Sequence, residues 1–571
     1  GIRPLPNLET KFVAANTLIG LPLSNDELFI DAFIAPIEKE LETLYHSHFT
    51  IQRRDQKLAL QKRIKELRQN IADTIVNNLG GIDVAKAKHL AEWDPFDPQA
   101  SADFFDPHWM FGASLTKGFD VVIGNPPYVR IQMLAQADPK QPAWLKEQYA
   151  SASKGNYDLY VVFVERGLQL LQPNGQLSYI LPHKFFNAQY GEPLRKLLAD
   201  GNNLRQVVHF GDEQIFPGAT NYVCLLFLDK GGAEYCRWVR AHDLPAWKDA
   251  LTAPETMIAS DRITSANWNF AVGKDASLFE KLKALPLTLG DVANIFVGLQ
   301  TSADAVFIMN FVSETARTIT LESKAIAKNW TFEKELLHPV VSGTDILAYM
   351  PLPRRQFILF PYTVQESKAA LISLEYIANA TPQTAQYLTA NQTVLEQRER
   401  GKFRDESWHR FGRNQNLGIQ QQSKLCVPRL VEYLHAAPDF DGTHCLDNVD
   451  VCGVTFKDSE TLYSLSFLLA LLNCRLLRWF FPFVSAPFRG GFRSANKQYL
   501  SLLPFQKIDF SIAAERAQHD VIVSLVEHII TAKQTNPSAD TNALEREIDQ
   551  LVYALYGLTP EEIAIVEGAA K

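Results

Sequence analysis

The chain has 571 residues, 46% hydrophobic and 21% charged, with 56 basic against 64 acidic side chains for a net charge of −8. This is the composition of a globular protein of roughly three to four domains, and it excludes a disordered, fibrous or strongly basic chain, so any polyanion contact must be a local patch. No stretch reaches the ~18 uninterrupted apolar residues of a membrane span; residues 462–484 come nearest and are broken by Asn473, Arg475 and Arg478.

In chain order, "FVAANTLIGLP" (residues 12–22) reads as a short apolar strand with Asn16 at its tip. From Ser24 to about Gly80, apolar residues recur at three-to-four spacing between Lys, Arg and Glu. That pattern predicts two antiparallel helices projecting from a sheet domain, with a coiled-coil arm as the alternative. Residues 93–112 are rich in Asp-Pro steps and aromatics and read as an ordered loop covering the sheet.

In "GFDVVIGNPPYVR" (residues 118–130), the bounded run 121–123 predicts a buried central strand of a parallel sheet. Gly124 to Tyr128 break that strand at its carboxyl end, the edge where open α/β sheets bind ligands. Pro126 and Pro127 donate no backbone N–H and fix φ, so Asn125 and Tyr128 are held on a stiff mount. Residues 157–171 then read as a helix, "PNG" (173–175) as a turn, "QLSYILP" as a strand, 192–198 as a helix, and "LRQVVHF" and "TNYVCLLFL" as strands. The alternation predicts a doubly wound α/β domain reaching about Lys230. A mixed, aromatic-rich region follows from about Leu285 to Phe505, and a helical tail closes the chain.

The six cysteines form no CxxC pair and no metal-ligand spacing, which predicts reduced thiols in a cytoplasm and no metal. Two stretches are rich in basic residues. "LEQRERGKFRDESWHRFGRNQ" (395–415) carries Arg404, Arg410 and Arg413 among Phe403, Trp408 and Phe411, and "FRGGFRSANKQY" (488–499) carries Arg489, Arg493 and Lys497. Such mixtures suit phosphate anchoring and base-edge reading; a solvated basic face is the alternative, and His409 is structural or a DNA contact.

"FDVVIGNPPY" resembles the catalytic motif of amino-group adenine DNA methyltransferases of gamma-type motif order, although the same tetrapeptide occurs in enzymes that methylate glutamine side chains. The order of later segments strengthens the likeness: "GNYDLYVVFVERGLQLLQPNGQLSYILPHKFF" and "EQIFPGATNYVCLLFL" resemble that family's next motifs. "LGDVANIFVGLQTSADAVFIM", "LLHPVVSGTDI" and "SAPFRGGFRSANKQYLSLLPF" resemble the TaqI-like specificity domain found in type IIG restriction-modification enzymes.

The resemblance implies an α/β chain. A Rossmann-like methyltransferase domain, incomplete at its N-terminus, is expected over 1–235 with the 24–80 hairpin inserted. A linker is expected over 236–284, a mixed α/β target-recognition domain over 285–505 and a helical segment over 506–571. It implies S-adenosyl-L-methionine as cofactor and double-stranded DNA as partner. Asn125, Pro126, Pro127 and Tyr128 become the catalytic loop, Phe216 a base-stacking aromatic, and Asn16, Leu159 and Phe163 cofactor contacts.

The chain starts at Gly1 without a methionine, and no Gly-rich loop follows a strand and opens a helix. An upstream methyltransferase or nuclease segment, or a partner subunit, is therefore expected. Two other functions stay open: a non-catalytic DNA-recognition subunit, and a protein-glutamine or RNA methyltransferase.

Overall fold

The computed structural model describes residues 6–20, 27–78, 92–97, 99–112, 115, 117–211, 213–216, 221–448, 450–458, 461–488 and 490–568. The chain divides into two units, Gly1–Trp268 and Asn269–Lys571.

In the first unit, β1 (Ala14–Ala15) pairs in parallel with β2 (Ser101–Ala102). The helices α1 (Glu27–Thr50) and α2 (Arg54–Asn78) lie between them in sequence. Ile34, Leu41 and Tyr45 of α1 share a buried cluster with Ile64, Leu67 and Ile71 of α2, because three-, four- and seven-residue spacings return a side chain to one helical face. Outside that seam, Arg63 pairs with Glu40 at 2.8 Å.

A mixed six-stranded sheet follows, built from β3 (Phe119–Gly124), β4 (Leu171–Pro182), β5 (Leu204–His209), β6 (Val223–Asp229), β7 (Tyr235–Arg240) and β8 (Glu255–Ala259), in the order β3-β4-β6-β5-β7-β8. β3–β4 and β5–β7 are parallel; the other neighbours are antiparallel. Helix α3 (Tyr160–Gln169) precedes β4 and packs on it so closely that a Cβ on Gly167 would collide with Leu177 Cδ1.

Two expectations need correction here. The 121–123 run is not a buried central strand: β3 is the edge strand of this sheet, with Val121 60% and Ile123 80% exposed. Nor is 236–284 a linker, since β7 and β8 extend the sheet across residues 235–259.

The second unit opens with α4 (Ala276–Lys283) and β9 (Ala293–Val297). Then come β10 (Ile308–Glu314), β11 (Thr318–Ser323), β12 (Lys328–Glu333), β13 (Leu337–Val341), β14 (Gln356–Leu359), β15 (Tyr362–Gln365) and β16 (Lys368–Leu371). Five short strands follow: β17 (Lys424–Pro428), β18 (Leu430–Val431), β19 (Ala437–Asp439), β20 (Cys445–Leu446) and β21 (Val451–Phe456).

Ten of these strands form a six-stranded sheet, β12-β11-β10-β14-β13-β20, and a four-stranded sheet, β19-β17-β21-β9; β15 pairs with β16, and β18 with residues Arg493–Ser494. Helices α5 (Leu465–Asn473) and α6 (Arg475–Val484) meet at a 67° bend, and no single described helix is long and apolar enough to cross a membrane. Their apolar faces share one core with α7 (Ala513–Thr535), α8 (Asn542–Leu555) and α9 (Pro560–Gly568). All six cysteines are buried and free of disulfides.

Candidate active site and nucleic-acid interface

β3 runs in register with β4 from Val121 opposite Gln176 to Gly124 opposite Tyr179, so Asn125 leaves the sheet at its carboxyl edge. The loop is fastened on both sides of its tip. The Tyr128 hydroxyl donates to the Ile180 carbonyl of β4 (3.1 Å). Beyond it, Leu159 N–H donates to the Val129 carbonyl (2.8 Å) and Ile131 N–H to the Tyr157 carbonyl (2.9 Å).

Pro126 is buried, whereas Asn125 is exposed and its amide makes no hydrogen bond to any described residue. The prolines and the two hydrogen-bonded flanks therefore hold an unengaged amide at the strand end. Burial pushes the Tyr128 hydroxyl up to about 12, so it is neutral at physiological pH. The loop contains no strong base.

The Tyr128 ring stands edge-on to Tyr160, with centroids 6.4 Å apart. The Tyr160 hydroxyl shares a hydrogen bond with Tyr190 (2.9 Å), whose hydroxyl reaches Asp158 (3.4 Å). Tyr128 and Phe216 both pack against one apolar cluster, built on Val208, Phe210 and Val223, so the two aromatics read from distant motifs border the same core. Sequence reading missed the Asp158–Tyr190–Tyr160 brace; the "YDLY" step beside Leu159 was its signal.

Leu159 precedes α3 and is buried, and Phe163 is half-buried on that helix. Asn16 is drawn to the same helix: Arg166 of α3 donates to the Thr17 carbonyl (2.8 Å) and to the Phe105 carbonyl (3.2 Å). The Asn16 side-chain oxygen accepts the Leu18 N–H (3.2 Å), which stiffens its loop and occupies one of that oxygen's two lone pairs.

In the second unit, the basic stretch 395–413 folds around one buried arginine. Arg398 donates to the carbonyls of Leu395 (2.8 Å), Thr301 (2.7 Å), Trp408 (2.6 Å) and Arg410 (2.9 Å) and stacks on Phe403 with 4.1 Å to the ring centroid. Burial pushes its guanidinium down to about 10, still charged at neutral pH.

Phe403, Trp408 and Phe411 are buried inside this knot, so they support the loop and do not face outward as stacking platforms. Arg410 lies over the same Phe403 ring (4.6 Å) and pairs with Asp405 (2.5 Å); Arg413 pairs with Glu399 (2.7 Å). Buried His409 hydrogen-bonds the Ile372 carbonyl (2.8 Å), a structural contact.

Arg404 and Lys497 are exposed, and their side chains make no hydrogen bond or ion pair to any described residue. Arg493 is turned inward, donating to the Pro482 carbonyl (2.9 Å), and Arg489 lies outside the described residues. An open cavity of about 510 Å³ borders the knot, with Ser407, Arg410, Asn414 and Asn416 on its wall. Among the described residues, no group of three or more His, Cys, Asp or Glu is arranged to hold a metal ion.

Comparison with known proteins agrees with the order of these parts. Residues 31–216 match a protein-family model described as Eco57I restriction-modification methylase, and residues 338–505 match the TaqI-like C-terminal specificity domain. The chain is 28% identical over 455 residues to the Escherichia coli type II restriction enzyme and methyltransferase RM.Eco57I, which covers 76% of this chain and 45% of that protein. It is 25% identical over 475 residues to the Pseudomonas aeruginosa type II methyltransferase M.PaeR7I, covering 80% and 73% of the two chains. The type IIL restriction-modification enzyme MmeI in complex with DNA has a similar fold, with a TM-score of 0.50 at 12% identity over 95% of this chain and 77% of that one. The chain thus spans less than half of the Escherichia coli relative.

Proposed function

We propose that this chain is the methyltransferase and target-recognition part of a restriction-modification enzyme that methylates the exocyclic nitrogen of adenine in duplex DNA. Its first unit would be a Rossmann-like methyltransferase domain that uses S-adenosyl-L-methionine. The observation that carries the reading is the braced Asn-Pro-Pro-Tyr loop, with an exposed, unbonded Asn125 amide at a sheet's carboxyl edge and Phe216 packed against the same apolar cluster as Tyr128.

The chemistry follows from the adenine amino group, whose lone pair is delocalised into the ring. Two acceptors aimed at its hydrogens favour the tetrahedral nitrogen of the transition state. The Asn125 side-chain oxygen is one, and the Pro126 carbonyl is the other. Tyr128 and Phe216 offer faces for a base flipped out of the duplex, and a neutral Tyr128 keeps its hydroxyl on Ile180.

S-adenosyl-L-methionine, when bound, supplies a methyl group activated on sulfonium sulfur. The residues present fit such a molecule in part: Leu159 just before α3 and Phe163 on it give an apolar wall, and Arg166 ties the Asn16 loop to that wall. In the second unit Arg404, Arg410, Arg413, Arg489, Arg493 and Lys497 are the proposed DNA contacts; of these, Arg404 and Lys497 are exposed cations with no internal partner.

The experiment is transfer of labelled methyl from S-adenosyl-L-methionine to duplex DNA by the chain and by Asn125→Ala. Loss of transfer with DNA binding retained is expected of the variant, and unchanged transfer would sink the assignment. The β3 edge, unpaired among the described residues, favours a second reading, in which transfer requires a further segment or a partner subunit beside β3. An upstream-extended version that is active where the chain alone is inert would support it.

A further inference from the structure

Within the basic stretch, residues 399–401 make a turn that three successive residues close with left-handed backbone: Glu399 at φ 47°, Arg400 at φ 64° and Gly401 at φ 85°. Only the third is glycine, the residue that takes this conformation without a Cβ penalty. Such strain persists only where surrounding contacts enforce it.

The contacts are on either side. Arg398 is anchored to four carbonyls and to the Phe403 face. The Glu399 carboxylate accepts from Arg413 (2.7 Å) and lies 3.6 Å from Lys402. Immediately after these two anchored residues, Arg400 is exposed and its side chain is bonded to no described residue. The fold thus enforces an unfavourable backbone to project one cation that serves no contact inside the chain.

We propose that Arg400 is a sequence-reading residue of this protein, donating its two-pronged guanidinium to the O6 and N7 acceptors of a guanine in the major groove. The assignment rests on the reading of the chain as a DNA-modifying enzyme. A phosphate anchor has no need of such a turn, because a phosphate accepts from many directions. Arg404 and Lys497, exposed on backbone without a positive φ, suit that task. A base edge admits one bidentate approach, which demands a fixed origin and direction. The left-handed turn supplies both.

The test uses the full chain, a randomised duplex library and the variant Arg400→Gly. Glycine takes φ 64° freely, so the melting temperature should hold or rise. Discrimination at one G·C pair should fall by roughly ten- to a hundredfold, the usual value of a bidentate contact, while preferences elsewhere and the salt dependence stay as they were. Uniform weakening on all sequences with a shallower salt dependence would make Arg400 a phosphate contact and overturn the proposal. So would unchanged discrimination, or a lowered melting temperature pointing to a structural role. An unsubstituted chain with no sequence preference at all would instead sink the underlying DNA-reading function.

Discussion

Replacing Arg398 by methionine should remove a large part of the stability of the second unit. Methionine fills similar volume and keeps a contact on Phe403, but it leaves the carbonyls of Leu395, Trp408 and Arg410 without their donor and the Thr301 carbonyl with the Gly412 N–H alone. A buried polar group deprived of its partner costs about 1–3 kcal/mol. The four are not additive, because one relaxation readmits water to several of them. Relief of the turn at Glu399 and Arg400, strained by about 1–3 kcal/mol per residue, offsets part of the loss. The net expectation is a loss of about 3–6 kcal/mol, near half of an ordinary domain's stability.

Hydrogen exchange is the direct assay, since the Gly412 N–H bonds the Thr301 carbonyl and the Phe411 N–H bonds the Tyr362 hydroxyl within the same knot. Exchange across residues 403–413 should accelerate by more than about a hundredfold, while β4 and β6 of the first unit keep their protection. Arg398→Lys should rescue little, because a single ammonium cannot reach four carbonyls arranged around a planar fork. A loss below about 1 kcal/mol in the methionine variant would refute the claim that this guanidinium organises the knot.

Three other outcomes follow from the same geometry. Phe216→Ala should lower single-turnover methyl transfer by about tenfold or more, as expected from base–aromatic stacking of ~1–3 kcal/mol, with little change in melting temperature; unaltered transfer would remove Phe216 from the site. Ile123→Lys, at a position 80% exposed, should shift the stability of the chain alone by no more than about 0.5 kcal/mol, and a drop of several degrees in melting temperature would mean that the β3 edge is covered.

Burial holds the Asp549 carboxyl at about 6 against the pull of the Arg475 N–H and the Arg475 charge. Its folded pKa lies above the unfolded one, so its contribution is fully present below about pH 4 and is lost as pH rises through about 6, some ~3 kcal/mol by pH 7. Asp549→Asn keeps an acceptor for that N–H and should flatten the fall in stability between pH 4 and 7, read by denaturant titration. An identical pH slope in the variant would refute the assignment.

Much of this architecture is legible in local pattern. The helical hairpin follows from side chains such as Ile34, Leu41, Ile64 and Ile71 repeating on one face, and the Asn-Pro-Pro-Tyr loop from prolines that end an apolar run. What stays hidden depends on non-local pairing. "VVI" has the same letters in a central and an edge strand; the neighbours decide, and among the described residues β3 has β4 alone. β7 sets charged residues among apolar ones, as in Cys236-Arg237-Trp238, and β8 leaves Met257 exposed; such half-exposed patterns read as irregular chain when no partner strand is known. Phe403, Trp408 and Phe411 satisfy the composition of a stacking platform and of a core equally well, and burial alone separates the two. The anchoring role of Arg398 has no local signature, because its acceptors lie 3 to 97 residues away in sequence.

The two candidate sites are stiffened by opposite means, and this difference carries a last prediction. In the Asn-Pro-Pro-Tyr loop rigidity begins in the covalent frame: the rings of Pro126 and Pro127 fix φ beside the proposed reacting amide, and the Tyr128 hydroxyl ties the loop to Ile180. In the 399–401 turn rigidity comes from Arg398 and from the Glu399–Arg413 pair, while the Arg400 side chain contributes nothing to holding its own backbone. The presented group can therefore be exchanged without dismantling the mount. Arg400→Gln should keep the fold and move the preference at the affected pair from guanine toward adenine, whose N6 and N7 match a carboxamide as O6 and N7 match a guanidinium. Selection from the same randomised duplex library reads the change; a preference that stays on guanine would show that some other side chain reads that base.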